Sequence, residues 1–131
     1  MERRVVNPWS WQDQYAFVQA NEVTGGQKLV ICAGQTSVDA EGKPVHEGDM
    51  AAQLSQAFDN LETVLREAGS SLADVVRLDY FTTDVDAIFQ AWGIVAERLG
   101  RAGCRPASTL LGVQRLAFPE LLVEIEATAV A

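Results

Sequence analysis

The sequence predicts an α+β domain with about six strands in a mixed sheet and two helices on one face. In two stretches the apolar residues recur at three- and four-residue steps, as they do along one side of a helix. The shorter stretches around them either alternate or are apolar throughout, as strands do. The order strands, helix, strand, helix, strands is typical of the α+β class. A chain of 131 residues, 48% of them hydrophobic, is expected to fold as one domain, residues 1–131.

Three strands are predicted before the first helix. Residues 3–6 form a short first strand, and residues 17–23 alternate between apolar and polar side chains. In the predicted strand 28–33, residues 29–33 have no polar side, so this strand is expected to be buried on both faces. A Gly-Gly pair separates the second and third strands, which predicts that they form a hairpin.

The two helices flank a further strand. Asp49 can begin the first helix, because its carboxylate accepts hydrogen bonds from free backbone N–H groups. Gly69 is expected to end that helix. Residues 75–81 alternate and are predicted to be a strand. The second helix is expected to begin at residues 83–84 and to end at Gly100.

The C-terminal stretch is predicted to contain two strands, residues 108–113 and residues 122–129. From Val123 onward, the last one alternates between apolar and polar side chains. Side chains switch face at every strand residue, so Glu124 and Glu126 share a face, roughly 6.6 Å apart along the strand. The apolar residues that alternate with these glutamates point toward the opposite face of the sheet.

The pattern also predicts self-association. Two helices can cover only one face of such a sheet, yet residues 28–33 and 108–113 are apolar on both sides. An uncovered apolar face marks a site of association, so we expect a homo-oligomer whose subunits cover each other's second face. Glu124 and Glu126 would then lie at a subunit interface. Neighbouring buried carboxylates have raised, coupled pKa values, which suits proton transfer.

Composition argues against several classes of partner. The formal net charge is −8, without a Lys/Arg cluster to offset it, so nucleic acid is a poor partner. No stretch approaches the ~18 apolar residues of a membrane span, and we see no signal peptide. Cys32 and Cys104 lack metal-binding spacing and are expected to be reduced thiols, so we predict no metal site. These features favour a cytoplasmic location.

Four stretches together resemble the YjgF/RidA family of reactive-intermediate (enamine/imine) deaminases. They read VICAGQTSVDAEGKP, AFDNLETVLREAGSSLADVVRLDYFTTD, RPASTLLGVQRLA and VEIEATAV. Their order and spacing match the family over roughly residues 17–130. The resemblance implies a chorismate-mutase-like fold and a homotrimer around a barrel, with ligand sites in the clefts between subunits. It also implies a reaction that uses no metal or organic cofactor.

The resemblance assigns roles to several residues. Glu124, the first acid of EIEA, matches the glutamate that handles water, whereas Glu126 is expected to be structural. Gly34 matches the glycine that backs the ligand, with a plain turn glycine as the alternative. Phe17 matches an aromatic residue that is Tyr in many members. Trp92 lies on the apolar stripe of the second helix, with pocket lining as the alternative to a core role.

The main departure from the family is at Ser108. Members that act on amino-acid-derived enamines usually carry R-P-A-R here, and the second arginine clamps the substrate carboxylate. Arg105 matches only the outer arginine, so the substrate is expected to lack a carboxylate or to place it elsewhere. Arg77 and Arg115 are candidates for a substitute cation. Ser108 and Thr109 are expected to line the pocket.

Three functions remain open from the sequence. The first is hydrolysis of small enamines or imines to a carbonyl compound and ammonia. The second is a non-catalytic trimer that binds a small metabolite or acts as a regulator. The third, a special case of the first, is deamination of a catabolic product such as 2-aminomuconate. A ribonuclease role is disfavoured by the charge and because the single histidine, His46, lies in a turn-rich loop.

Overall fold

The structure is a computed structural model that describes residues 1–131. It contains seven strands and three α-helices, which confirms the α+β class. The strands are Glu2–Val6 (β1), Ala20–Thr24 (β2), Leu29–Ile31 (β3), Gln35–Thr36 (β4), Val75–Thr82 (β5), Leu110–Gly112 (β6) and Val123–Val130 (β7). The helices are Met50–Glu67 (α1), Val85–Gln90 (α2) and Trp92–Ala102 (α3).

The strands form two sheets rather than one sheet of about six. In the five-stranded mixed sheet, β7 lies between β5 on one side and β3 and β4 on the other. Strand β6 runs parallel to β5 at the outer edge, so β5 separates the two C-terminal strands. A second, two-stranded antiparallel sheet pairs β1 with β2.

The predicted hairpin between residues 17–23 and 28–33 is therefore wrong. Strand β2 pairs with β1, and β3 pairs with β7. Polar contacts hold the β1–β2 ribbon against the domain. The Asn21 amide donates to the carbonyls of Val76 and Arg105, and the Arg3 guanidinium donates to the carbonyls of Val75 and Arg105. The Gly-Gly signal marks a change of direction, whereas these distant contacts decide which strands pair.

The helices cover one face of the large sheet, as predicted. The Asp49 carboxylate accepts from the backbone N–H of Ala52 at 3.0 Å, and Gly69 adopts a left-handed φ of +73° just after α1. The inward positions of β7 also match the prediction. The side chains that form the core between α1 and β7 are fully buried or nearly so; they include Leu54, Phe58, Leu61, Leu65, Val123, Ile125, Ala127 and Ala129.

The second predicted helix is two helices, α2 and α3, which meet at Ala91. Asp84 caps α2 as expected, by accepting from the N–H of Ala87. The chain turns at Trp92, whose indole packs 4.9 Å from Tyr80 and donates to the Tyr15 carbonyl. The helical run ends at Gly103 rather than Gly100, because only Gly103 takes the left-handed conformation that stops a helix.

The face of the large sheet that points away from the helices, here called the outer face, is uncovered. Residues 28–33 are therefore not buried on both sides within the chain: Ile31 is 75% exposed and Leu29 is 62% exposed. Strand β6 is shorter than the predicted 108–113, and Leu111 is also exposed there. None of the helices combines the length and hydropathy needed to cross a bilayer.

Candidate functional site

The candidate site residues lie in two groups on opposite faces of the large sheet. Glu124 and Thr109 are on the outer face, with Gly34 against Glu124. Phe17, Trp92 and Ser108 lie on the helix side, where they line one pocket. A single chain thus separates the candidate acid from Phe17, Trp92 and Ser108.

Strand alternation fixes the position of Glu124. Its neighbours Val123 and Ile125 are fully buried under the helices, so the glutamate side chain is directed to the outer face, where it is partly buried. Its backbone lies opposite Thr36 of β4 and Phe81 of β5. Because β7 is hydrogen-bonded to a strand on each side, the Glu124 carboxylate is attached to a rigid part of the sheet.

Gly34 makes room for this carboxylate. A Cβ atom at Gly34 would overlap Oε2 of Glu124 and would lie only 2.7 Å from its Cδ. The backbone of Gly34 does not adopt a positive φ, so a turn does not require glycine at this position. The close approach of the Glu124 side chain does.

The environment of Glu124 changes its acidity. Burial raises the pKa of Glu124 above its ordinary value, since the charged form loses water contacts, and the negative charge of Glu126 raises this pKa further. Glu126 itself is exposed on the same face. The raised pKa expected from the sequence is therefore found at Glu124. It brings the pKa of this carboxyl group closer to the working pH, where acid–base catalysis is most efficient.

This pKa shift predicts a pH-dependent stability. The folded chain binds the Glu124 proton more tightly than the unfolded chain, so ionisation of Glu124 destabilises the fold. We expect Glu124→Gln to raise the thermal midpoint at pH 7. This gain should shrink as the pH falls and disappear below about pH 4, the ordinary range of glutamate. Thermal unfolding scans across pH measure this; a gain that grows toward acid pH would contradict it.

Thr109 belongs to a polar cluster on the outer face and does not line the pocket that contains Ser108. The Arg77 guanidinium pairs with Asp79 at 3.0 Å and donates to the Thr109 hydroxyl at 3.2 Å. The Thr109 N–H donates to the other Asp79 oxygen. Arg115 lies in the connection between β6 and β7 and donates to the Leu116 carbonyl. Neither arginine lines the pocket that contains Ser108.

The pocket on the helix side, here called the aromatic pocket, has a volume of about 250 Å³. Its walls are almost entirely aromatic or apolar; the lining residues are Trp11, Tyr15, Phe17, Tyr80, Phe89, Trp92, Ser108 and Leu110. The indole of Trp92 packs against two other lining rings, with its centroid 4.9 Å from that of Tyr80 and 5.5 Å from that of Phe89. Trp92 thus packs on the core and lines the pocket at the same time.

Sequence reasoning missed most of these rings. Trp11 and Tyr15 lie on a 3₁₀ turn, Trp11–Tyr15, that was not predicted. Strand β2 begins later than the predicted residue 17, which leaves Phe17 in the connection after that turn. The available signal was the high density of aromatic residues between residues 9 and 17.

No group of three or more His, Cys, Asp or Glu side chains is placed to hold a metal ion. Both cysteines are buried free thiols, and burial raises their pKa, that of Cys104 to about 12. A thiol with such a high pKa stays protonated and is a poor nucleophile.

Comparison with known proteins places this geometry in a family. A family model described as "Endoribonuclease L-PSP" matches residues 13–131. The RutC family protein YjgH from Escherichia coli is 30% identical over 117 residues, which cover 89% of this chain and 88% of that protein. The RutC family protein PH0854 from Pyrococcus horikoshii is 32% identical over 107 residues and 82% of each chain.

Solved structures agree. The crystal structure of YyfB from Yersinia pestis, described as a conserved Rid family protein of unknown function, superposes with a TM-score of 0.87. The two chains match over their whole length at 38% identity. The YjgF gene product of E. coli gives a TM-score of 0.70 at 28% identity, over 87% of each chain. The chain therefore belongs to the YjgF/Rid family.

Proposed function

We propose that this protein is a cofactor-free hydrolase that converts small enamines or imines to a carbonyl compound and ammonia. The observation that carries the proposal is the partly buried Glu124, with its raised pKa, against Gly34. Membership in the YjgF/Rid family supports it, because the resemblance in sequence is to the deaminases of that family. The reactive enamine first takes up a proton at carbon and loses one from nitrogen to become the imine.

Hydrolysis of the imine needs one group that moves protons. A water molecule attacks the imine carbon and passes a proton to the Glu124 carboxylate. The protonated Glu124 then returns this proton to the nitrogen, which gives the carbinolamine. Glu124 next takes the proton of the carbinolamine hydroxyl and delivers it to the nitrogen, so the C–N bond breaks, ammonia leaves and the carbonyl forms. Imine plus water thus gives carbonyl compound plus ammonia, with no change in oxidation state. A carboxyl group with a raised pKa serves as both base and acid more effectively than an ordinary one.

We propose that the complete site forms between subunits of a homotrimer. Glu124 and the aromatic pocket lie on opposite faces of the sheet in one chain, so a neighbouring chain is needed to bring such groups together. The exposed apolar side chains Leu29, Ile31 and Leu111 on and beside the outer face support this assembly.

Assembly is tested by placing a charge on the outer face. We expect Ile31→Glu to convert the trimer to a single 14.2 kDa chain and to abolish turnover, because burying an unpaired carboxylate in an interface is costly. Light scattering coupled to gel filtration measures the mass. Ala51→Glu is the control, since Ala51 is exposed on α1 at the helix side. A wild-type protein that is monomeric at micromolar concentration would refute the assembly.

A catalytic test uses imines generated in the assay. An amino-acid oxidase acting on alanine supplies a carboxylate-bearing imine, and an amine oxidase acting on a neutral amine supplies one without a carboxylate. Addition of the protein should accelerate release of the carbonyl compound, with a preference for the second substrate. That preference is expected because no cationic side chain lines the aromatic pocket.

The second candidate is a trimer that binds a small metabolite without chemistry, and Ser108 at the position of the clamping arginine favours it. Binding without acceleration for any imine would support this candidate. Deamination of a dicarboxylate such as 2-aminomuconate is less well supported, because two carboxylates would need cations. Cleavage of RNA is disfavoured by the net charge of −8.

A further inference from the structure

Two residues that line the aromatic pocket carry a buried hydroxyl group without a hydrogen-bond partner within the protein. They are the phenol of Tyr80, which is 1% exposed, and Oγ of Ser108. The indole N–H of Trp92, by contrast, is already used by the Tyr15 carbonyl. A buried polar group without a partner destabilises a fold, so two of them on residues that line one apolar pocket require an explanation.

We propose that the aromatic pocket binds an uncharged, ring-bearing molecule whose polar substituent hydrogen-bonds to the hydroxyls of Tyr80 and Ser108. The identification of this molecule as the substrate, an imine with an aromatic side chain, rests on the proposed function. The binding of the ring does not, because it depends only on the pocket.

The chemistry of the walls selects the class of ligand. No lysine, arginine or histidine lines the pocket, so a carboxylate or phosphate would lose its water without gaining a partner. No Asp or Glu lines it either, so a cation would meet only ring faces. A quaternary ammonium ion would also leave both hydroxyls unpaired. A site built to hydrogen-bond a substituent rejects analogues that lack it.

The arrangement of the rings suits another ring. The planes of Tyr80 and Phe89 are each tilted by 56° from that of Trp92, at centroid distances of 4.9 and 5.5 Å. Aromatic side chains prefer such tilted contacts, and a further ring can extend the cluster in the same way. Cavities of about 150 Å³ already admit benzene. The 250 Å³ pocket therefore holds one ring with a short side chain.

Burial also sets the role of the Tyr80 hydroxyl. Loss of water contacts raises the pKa of Tyr80 well above its ordinary value, so the phenol stays protonated and can donate a hydrogen bond. Ser108 can donate or accept, since its hydroxyl hydrogen rotates freely. A ligand hydroxyl or a neutral imine nitrogen satisfies both groups.

The test compares two rings of similar size, phenol and toluene, by NMR titration of the wild-type protein and of Tyr80→Phe. We expect phenol binding to weaken by about two- to tenfold relative to toluene in Tyr80→Phe, the effect of losing one neutral hydrogen bond. Ser108→Ala should produce a change in the same direction. Thr63→Ala is the control, because it removes an exposed hydroxyl on α1 that does not line the pocket, and the ratio should stay unchanged.

The thermal stability of Tyr80→Phe also measures how much the unpaired hydroxyl destabilises the fold. Without ligand, Tyr80→Phe should melt a few degrees higher than wild type, because a buried group without a partner has been removed. This result also shows that the variant folds.

The proposal is overturned if neither ring compound binds, as when a side chain of a second copy fills the pocket. A phenol-to-toluene ratio that is equal in wild type and Tyr80→Phe would also overturn it, as would tighter binding of benzoate or phenyltrimethylammonium than of phenol. These outcomes are independent of turnover. Loss of imine hydrolysis with intact phenol binding would refute the proposed function alone, and hydrolysis without phenol binding would refute the ring-bearing ligand alone.

Discussion

Glu124→Gln is expected to lower kcat/KM for imine hydrolysis by about 10²–10⁴-fold, the usual contribution of a positioned acid–base group. Glutamine has nearly the same shape, and it leaves the strand pairing of β7 on both sides intact. It cannot take a proton from water, however, and it cannot return one to the leaving nitrogen. The measurement is steady-state kinetics with the imine that the wild-type protein hydrolyses fastest, together with light scattering to show an unchanged assembly.

Glu126→Gln is the matched control for Glu124→Gln. Glu126 lies two residues away on the same face, but it is exposed. Its replacement should leave the maximal rate nearly unchanged. Because its charge contributes to the raised pKa of Glu124, its loss should lower that pKa and move the acid limb of the pH–rate profile to lower pH. Full activity in Glu124→Gln, or an equal loss in both variants, would remove Glu124 from the mechanism.

Gly34→Ala is expected to reduce activity nearly as much as Glu124→Gln, although Gly34 has no side chain to do chemistry. The new Cβ would overlap the Glu124 carboxylate. The overlap involves the flexible end of that side chain, so the carboxylate can rotate away. We therefore expect a loss of stability within the range of about 1–3 kcal/mol that is typical of overpacking, and a much larger loss of rate.

A double variant separates the clash from other effects of the alanine. In a Glu124→Ala background, Gly34→Ala should no longer destabilise the protein, because the overlapping atoms are gone. Chemical denaturation of the four proteins gives the coupling between the two positions. Gly100→Ala is the control: a Cβ there meets no atom within 4 Å, and alanine in a helix should stabilise by about 0.5–1 kcal/mol. If Gly34→Ala destabilises both backgrounds equally, the close approach to Glu124 is not the reason for this glycine.

Some elements of this fold could be predicted from the sequence because local chemistry determines them. The first helix has an N-terminal capping aspartate, a continuous apolar stripe and a glycine after its end, and all three act within a few residues. The alternation in the last strand assigned Glu124 to one face and Ile125 to the other. Segment length and apolar periodicity were enough to predict these elements, because residues close together in sequence determine their conformation.

Contacts between distant residues determine the rest. The pairing of β3 with β7 joins segments about 100 residues apart, and a glycine pair carries no information about such a partner. Gly93 follows the break at Ala91 by two residues, but a single glycine does not by itself predict a break, and the packing of Trp92 against Tyr80 at this point joins distant residues. The aromatic pocket draws on four separate segments. No local pattern could show that Tyr80 would line this pocket with its hydroxyl buried and without a partner.

Ser108 and Thr109 are adjacent in the chain, yet one faces the ring-lined pocket and the other faces the cluster of Arg77 and Asp79. Under the proposed function and assembly, substitutions at Ser108 would change ligand recognition, whereas those at Thr109 would change the surface that contacts a second copy. Insertion or deletion of one residue just before this pair would exchange the two environments at once. A single substitution at one of these positions therefore changes one environment at a time, whereas an insertion or deletion would change both environments in one step.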